Sequence, residues 1–157
     1  MIHPATDVRQ VSETIGAGVF AIAKIPKGTI LWVLDRLDRR VQPGQVDTLP
    51  AALARAVERY SYQDPGGDLI FCWDAGRMMN HSCDPATVAV SRTLEVARRD
   101  IEAGDALTCD YGVLNMTGTL DCQCGAPKCR RQVRSDEASA HLAQWDAWAA
   151  DAWAAAY

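Results

Sequence analysis

The sequence contains neither a long apolar segment nor a recognisable targeting signal. None of its apolar runs approaches the roughly 20 residues that span a bilayer, so no membrane partner is expected. Residues 1–6 lack the basic region followed by an apolar region that marks a secretory signal peptide. We therefore expect a cytoplasmic protein, or one that enters a host cell by a route that the sequence does not display.

The chain also lacks the excess of basic residues that is typical of nucleic-acid-binding proteins. Its net charge is −4, with 16 lysine and arginine residues against 20 aspartate and glutamate residues. Because neutralising phosphates favours a basic surface, direct binding to nucleic acid is not expected. The acidic balance suits a basic partner, such as a peptide rich in lysine or arginine.

Short strand-like segments separated by turns occupy most of the first 134 residues. Pro and Gly turns near residues 27, 44, 66 and 104 separate apolar segments at 19–22, 29–34, 69–73, 87–90, 94–97 and 106–109. This pattern predicts a β-rich α+β domain rather than alternating βαβ units. Residues 49–60 differ, because their apolar side chains fall at helical spacing and predict one inserted helix.

Residues 135–157 predict a C-terminal helix. Ser135 is a suitable N-cap, and Asp136 and Glu137 suit the positive end of the helix dipole. An apolar stripe follows at Leu142, Trp145, Ala149, Ala152 and Ala156. We favour packing of this stripe on its own domain over a homodimer interface, although tryptophan is enriched in interfaces too.

Three cysteines, Cys122, Cys124 and Cys129, lie within eight residues in a stretch rich in turn-forming residues. In a reducing compartment such cysteines are better interpreted as thiols or metal ligands than as disulfides. Closely spaced thiolates favour tetrahedral zinc, and a structural site needs a fourth ligand. Cys83 is the best candidate for it and His81 is the alternative, while a cluster of thiols without metal remains the competing interpretation.

Four segments, in chain order, resemble the SET-domain family of protein-lysine methyltransferases. They are the glycine-containing strand and turn at 16–28, Arg-Met-Met-Asn-His-Ser-Cys-Asp-Pro at 77–85, Ile-Glu-Ala-Gly-Asp-Ala-Leu-Thr-Cys-Asp-Tyr-Gly at 101–112, and the cysteine knuckle at 122–129. The first and last segments are generic alone. The combination of the second and third with the knuckle is specific, and the resemblance covers residues 13–131.

The resemblance implies a SET-domain β-clip fold in which the Asn-His and Asp-Tyr segments thread together as a pseudoknot. One inserted helix, a zinc knuckle and a C-terminal helix complete the expected architecture. The chain then divides into a SET domain at 1–115, a post-SET zinc-binding segment at 116–134 and a C-terminal helix at 135–157. The implied ligands of one structural zinc are Cys83, Cys122, Cys124 and Cys129.

The resemblance also implies methyl transfer from S-adenosylmethionine, with S-adenosylhomocysteine as product, to a lysine of a protein or peptide, histone-like proteins among them. Tyr111 is the expected catalytic residue. The expected cofactor-binding residues are Gly16, Ala17, Gly18, Val19, Asn80, His81 and Tyr111, and the expected lining of the lysine channel is Cys109, Tyr62 and Trp73. The alternative is a catalytically inactive SET-like zinc module that binds cofactor or peptide.

Cys109 departs from the family pattern, which has tyrosine or phenylalanine two residues before the catalytic tyrosine. Cysteine is smaller than either and only a weak hydrogen-bond donor, so we expect a channel that admits at least dimethyl-lysine. The competing interpretation is that Cys109 is buried packing and that Trp73 or Tyr62 limits methylation.

Overall fold

The computed structural model describes residues 1–116 and 118–156, and it describes Ser135 by its backbone alone. Strands dominate these residues, which confirms the predicted β-rich α+β class. The strands are β1 (Thr6–Ser12), β2 (Gly16–Ala21), β3 (Ile30–Val33), β4 (Arg39–Val41), β5 (Ser61–Gln63), β6 (Leu69–Phe71), β7 (Asn80–His81), β8 (Thr87–Ser91), β9 (Leu94–Ala97), β10 (Ala106–Cys109), β11 (Thr119–Asp121) and β12 (Gln132–Arg134). The α-helices are α1 (Pro43–Val46), α2 (Ala51–Tyr60) and α3 (Ala138–Ala154), and 3-10 turns occupy Ala75–Met78, Tyr111–Val113 and Ser135–Glu137.

The strands form small sheets with the orders β1-β2-β10-β7, β3-β9-β8, β4-β6-β5 and β11-β12. Neighbouring strands are antiparallel in each sheet except for the pair β7 and β10, which is parallel. No helix in the described part of the chain is both long and apolar enough to cross a membrane.

The parallel pair β7 and β10 joins two segments that are distant in sequence. Asn80 lies opposite Thr108 and His81 opposite Cys109. The backbone N–H of Ser82 extends the ladder by donating to the carbonyl of Cys109 at 3.0 Å. This ladder provides the contact that the expected pseudoknot requires, and it places the Asn-His segment beside the Asp-Tyr segment.

The hydrophobic core lies against the inner faces of β2, β3 and β10. Val19, Leu31 and Leu107 are each no more than 1% exposed. Burial alternates along β10, where Leu107 and Cys109 are buried and Ala106 is exposed, as the two-residue period of a strand requires. The alternation turns the Cys109 side chain into the core, directly before the segment that carries Tyr111.

Helix α2 is the predicted inserted helix. It begins after Pro50, whose missing N–H costs nothing at a helix start, and its last residue leads directly into β5. Val57 is buried, whereas Leu53 is 45% exposed, so only part of the predicted apolar side faces the core. The end of α2 therefore fixes the start of β5, which carries Tyr62.

The C-terminal helix α3 packs on its own domain, the arrangement that the sequence favours. Trp145 and Ala152 are buried, and Ala152 belongs to one apolar cluster with Val88 of β8 and Val96 of β9. The predicted stripe is only partly correct, because Leu142 is 52% exposed. The α-helix begins at residue 138, three residues after the expected cap, since residues 135–137 form a 3-10 turn.

Candidate active site and zinc site

The glycine-containing strand β2 and the Asn-His segment meet through a side-chain to backbone hydrogen bond. Asn80 Nδ2 donates to the carbonyl oxygen of Ala17 at 3.0 Å. Gly18 makes this approach possible, because a Cβ built on it would lie 2.8 Å from Asn80 Nδ2. Gly16 adopts φ +86°, a conformation that glycine tolerates far better than other residues. The structure thus brings Ala17, Gly18 and Asn80 together, while Val19 is buried in the core. The cofactor-binding role of these residues stays a prediction.

The end of α2 supplies one further polar group near this strand, and the start of β5 carries a buried hydroxyl. Arg59 Nη2 lies 3.3 Å from the position that a Cβ on Gly16 would occupy. Ser61 Oγ is buried and has no hydrogen-bond partner among the described residues. A backbone cradle and a guanidinium group fit the carboxyl group of the implied cofactor. The sequence did not single out Arg59 or Ser61, since neither belongs to the motifs that carry the resemblance.

Tyr111 is held by hydrogen bonds at both its hydroxyl and its backbone. The hydroxyl donates to the carbonyl oxygen of Met79 at 2.8 Å, and the backbone N–H donates to His81 Nδ1 at 3.1 Å. Burial raises the pKa of Tyr111 well above its ordinary value, and Cys109 adds to the effect. Tyr111 is therefore a neutral phenol with a fixed orientation, and it lies directly beside the Asn-His segment.

His81 connects Tyr111 with the cysteine cluster. Burial lowers the pKa of His81 to about 4, with Asp110 opposing that effect, so the imidazole is neutral. Nδ1 accepts the Tyr111 N–H, and a neutral imidazole then carries its proton on Nε2. Nε2 lies 3.3 Å from Cys83 Sγ, so His81 donates to this sulfur rather than offering it a lone pair.

Two of the three predicted channel residues lie with Tyr111 in one apolar cluster. Cys109 is 5% exposed and packs with the partly buried Tyr62 and Tyr111. Tyr62 stands edge-on to Trp32, with ring centroids 6.0 Å apart. Burial raises the pKa of both Cys109 and Tyr62, so both groups are neutral.

Trp73, the third predicted channel residue, lies on the surface. It is 44% exposed, and its indole N–H donates to Asp35 Oδ2 at 2.9 Å. Cys109, Tyr62 and Tyr111 thus belong to one apolar cluster, and the exposed Trp73 is not among its members. The roles of all four residues in catalysis and in the channel stay predictions.

The predicted zinc ligands converge although they come from segments some 40 residues apart. Cys83 Sγ and Cys122 Sγ are 3.8 Å apart, and Cys129 Sγ and Cys122 Sγ are 3.6 Å apart. Four sulfurs placed tetrahedrally at about 2.3 Å from zinc are roughly 3.8 Å from one another. Cys124 Sγ accepts the backbone N–H of Cys83 at 3.4 Å, and none of these cysteines forms a disulfide. Cys83, Cys122 and Cys124 therefore fit three ligand positions of one zinc ion.

His81 and Cys129 compete for the fourth ligand position. His81, Cys83, Cys122 and Cys124 have ligand atoms that all lie within 4.8 Å of one another. The His81 Nε2–H, however, points at Cys83 Sγ, which is the geometry of an outer-sphere hydrogen bond to a thiolate. We therefore favour Cys129 as the fourth ligand, and this assignment stays a prediction.

The thiol chemistry of the cluster suits metal binding. Burial acts to raise the pKa of Cys124, but hydrogen bonds from the backbone N–H groups of Cys83 and Ala126 and from neighbouring thiols lower it to about 6. A lowered pKa favours the thiolate form of Cys124, which is the form that coordinates zinc.

Arg130, which no sequence motif singled out, links the cysteine cluster to the residue before Tyr111. Its backbone N–H and its Nε donate to Cys83 Sγ at 3.4 and 3.5 Å. Its Nη2 pairs with the buried carboxylate of Asp110. A basic residue directly after the last cysteine of the cluster was the available signal, since a guanidinium balances the charge of neighbouring thiolates.

Comparisons with known proteins agree with this arrangement. The family model described as "SET domain" matches residues 16–112. The chain is 37% identical over 76 residues to histone-lysine N-methyltransferase TRX1 of Oryza sativa subsp. japonica, an alignment that covers 43% of this chain and 7% of the rice protein. It is 28% identical over 135 residues to histone-lysine N-methyltransferase mes-4 of Caenorhabditis elegans, covering 73% of this chain and 15% of that protein.

Solved structures show the same fold. KRYPTONITE in complex with mCHH DNA, an H3(1-15) peptide and SAH superposes with a TM-score of 0.53 at 22% identity, covering 82% of this chain and 29% of that one. A second KRYPTONITE complex, with mCHG DNA and SAH, has a TM-score of 0.51. The chain thus spans a small part of the relatives that it matches. The family model covers more than half of this chain, and the chain belongs to the SET domain family.

Proposed function

We propose that this chain is a protein-lysine N-methyltransferase that uses S-adenosylmethionine. The observation that carries the proposal is the parallel pairing of β7 and β10, which brings the Asn-His segment beside the Asp-Tyr segment. Asn80 is hydrogen-bonded to Ala17 there, and Tyr111 is hydrogen-bonded to Met79 and His81. The curated relatives described above are named histone-lysine N-methyltransferases, and the KRYPTONITE complexes contain SAH. These agreements support the same activity for this chain.

The proposed chemistry needs alignment more than acid or base strength. When bound, S-adenosylmethionine supplies a methyl group on a positively charged sulfur. The protein has to hold a lysine nitrogen in line with that methyl carbon, which is a task of positioning. Tyr111 suits the task because its neutral hydroxyl is fixed by Met79 and retains lone pairs for weak C–H···O contacts.

The lysine must lose its proton before it can act as a nucleophile. Burial in an apolar channel lowers the pKa of a lysine ammonium group, since desolvation disfavours the charged form. Cys109 and Tyr62 are buried or half-buried, and both are neutral because burial raises the pKa of each. A channel lined by neutral groups favours the neutral amine.

The proposed partner is a lysine-containing protein or peptide. The net charge of −4 suits a basic segment, and a histone H3 peptide is bound in one KRYPTONITE complex. Histone-like proteins are therefore the first substrates to test. A cytoplasmic location and the division at residues 115 and 134 stay predictions.

A homodimer through α3 is a further prediction that needs its own test. Trp145 and Ala152 already pack within the domain, so a dimer would use the outward side that carries Leu142. Sedimentation of the full chain and of a chain ending at residue 134 decides the matter. If the full chain and the shortened chain both sediment as monomers, a dimer interface on α3 is excluded.

The experiment for the enzyme proposal is mass spectrometry of H3 peptides and basic proteins after incubation with methyl-labelled S-adenosylmethionine. Methylated lysine supports the proposal. The matched control is Tyr111→Phe, which keeps the ring but loses the hydroxyl bonded to Met79. We expect turnover to fall by about 100-fold or more, the order of effect that loss of alignment produces, with the fold retained.

Binding measurements separate the enzyme from the alternative of an inactive module. Calorimetry that detects S-adenosylhomocysteine binding without any methylated product would support the module and contradict the enzyme. A Tyr111→Phe variant that methylates at the wild-type rate would show that Tyr111 is not the catalytic residue.

A further inference from the structure

Asp110, directly before Tyr111, is a buried carboxylate that organises the turn carrying the tyrosine. It is 6% exposed, and its Oδ1 accepts the backbone N–H of Gly112 at 2.9 Å, which caps the 3-10 turn Tyr111–Val113. Arg130 pairs with the same oxygen. The orientation of this carboxylate therefore determines where the backbone of Tyr111 lies.

The second oxygen of Asp110 is bound by the C-terminal helix. Trp145 of α3 is 7% exposed, and its Nε1–H donates to Asp110 Oδ2 at 3.1 Å. A hydrogen bond to a charged acceptor is stronger than one between two neutral groups. Loss of the Trp145 donor would leave Asp110 Oδ2 buried and without a partner, since water cannot readily reach it.

Trp145 also touches the backbone on the other side of Tyr111. A Cβ built on Gly112 would lie 3.1 Å from Trp145 Cζ2 and 3.2 Å from Trp145 Cη2. The indole ring therefore packs directly against Gly112 while its N–H binds Asp110. The residues before and after Tyr111 both rest on one side chain, which lies 33 residues beyond the part of the chain that matches the family model.

We infer that Trp145 is a positioning residue for Tyr111 and that α3 is a working part of the catalytic unit. The inference rests on the proposed methyl transfer. Trp145 acts through Asp110 and Gly112: it fixes the carboxylate and the turn, and the turn fixes the direction of the Tyr111 hydroxyl. A small displacement of this hydroxyl weakens alignment in the transition state more than it weakens binding of either substrate.

The test compares Trp145→Phe with Trp148→Phe. The first variant keeps an aromatic ring against Gly112 and loses the N–H that binds Asp110. Trp148 lies one turn later on α3, packs against the β8–β9 cluster and has the Arg98 guanidinium 4.4 Å from its ring. It lines the same small cavity as Trp145 and Asp110, so its replacement perturbs the same region of α3 but leaves the Trp145–Asp110 hydrogen bond intact. Both are measured well below their melting temperatures, at saturating peptide and cofactor.

We expect Trp145→Phe to lower kcat by about tenfold, an order of effect typical of slight misalignment, while each KM changes less than twofold. Trp148→Phe should keep the wild-type kcat. In an Asp110→Asn background, Trp145→Phe should cause little further loss, because residues that act through one contact are not additive. Equal kcat losses in the two tryptophan variants, or a Trp145→Phe enzyme at the wild-type kcat, would overturn the inference.

Hydrogen exchange gives a readout that does not depend on activity. Amides of residues 111–114 should exchange faster in Trp145→Phe than in the wild type, while those of β1 and β2 should be unchanged. Unchanged exchange at 111–114 would overturn the positioning role. A wild-type chain that methylates no substrate would instead refute the proposed function, and exchange would still decide whether Trp145 holds the turn.

Discussion

Replacing Gly18 by alanine tests the link between β2 and the Asn-His segment directly. The new methyl carbon would lie 2.8 Å from Asn80 Nδ2 and 2.9 Å from Val11 Cγ2, whereas ordinary contacts begin at 3.4 Å. The Asn80 amide must retreat by about 0.6 Å, and a retreat along its 3.0 Å hydrogen bond to Ala17 lengthens that bond to about 3.6 Å, beyond hydrogen-bonding range.

The free energy of this loss sets the expected change in cofactor affinity. A lost hydrogen bond of this kind costs about 1 kcal/mol. That corresponds to about a fivefold increase in the dissociation constant of S-adenosylhomocysteine, measured by calorimetry. The melting temperature should fall by about 2–4 °C, the shift expected per kcal/mol for a chain of this size.

Gly104→Ala is the matched control for Gly18→Ala. Gly104 has φ +96°, and apart from its two chain neighbours no atom of the described residues lies within 4 Å of the position of an added Cβ. An alanine there costs about 1–2 kcal/mol of backbone strain without touching Asn80. Cofactor affinity should therefore be unchanged although stability falls. If Gly18→Ala binds S-adenosylhomocysteine within twofold of the wild type, our account of this site is refuted.

Three further predictions concern the metal, the channel and a buried carboxyl group. Cys83→Ser should lower the zinc content well below one ion per chain in elemental analysis. Cys72→Ser, which alters a buried thiol outside the cluster, should keep the wild-type zinc content. Full zinc occupancy in Cys83→Ser would contradict the ligand assignment. Wild-type enzyme should reach dimethyl-lysine or beyond, and Cys109→Tyr should shift the product towards monomethyl-lysine; a wild type that stops at monomethyl-lysine under excess cofactor would defeat the idea. Burial raises the pKa of Glu95 above its ordinary 4.5, and the hydrogen bond from the Thr87 hydroxyl opposes this shift. Above pH 4.5 the folded state therefore holds a proton that the unfolded state releases, so the free energy of unfolding falls as the pH rises. Glu95→Gln keeps an acceptor for Thr87 and should raise the melting temperature at pH 7–8 but hardly at pH 4; parallel melting curves against pH for the two proteins would contradict this.

The local sequence pattern was sufficient to predict the strands that position the site. The alternation of side chains along β10 follows from the strand period, so residues 106–109 could be recognised from the sequence. The start of α3 could not, because Ser135, Asp136 and Glu137 enter a 3-10 turn instead of the α-helix. Arg134 donates to Asp136 there at 2.9 and 2.6 Å, so the Asp136 carboxylate is paired with a neighbouring side chain in the turn before α3 begins.

The sequence by itself determined the chemical groups of the site and their order along the chain: the glycines of β2, Asn80 with His81, Tyr111, and the cysteines. These residues stand in short motifs whose spacing is preserved in any fold of the chain. Only the tertiary structure decided which group binds which. It placed His81 Nε2 beside Cys83 Sγ, Arg130 between Cys83 and Asp110, Trp73 at the surface, and Trp145 against the turn that carries Tyr111. Those contacts join residues up to 47 positions apart, and their distances depend on how sheets and helices pack, which no local pattern encodes.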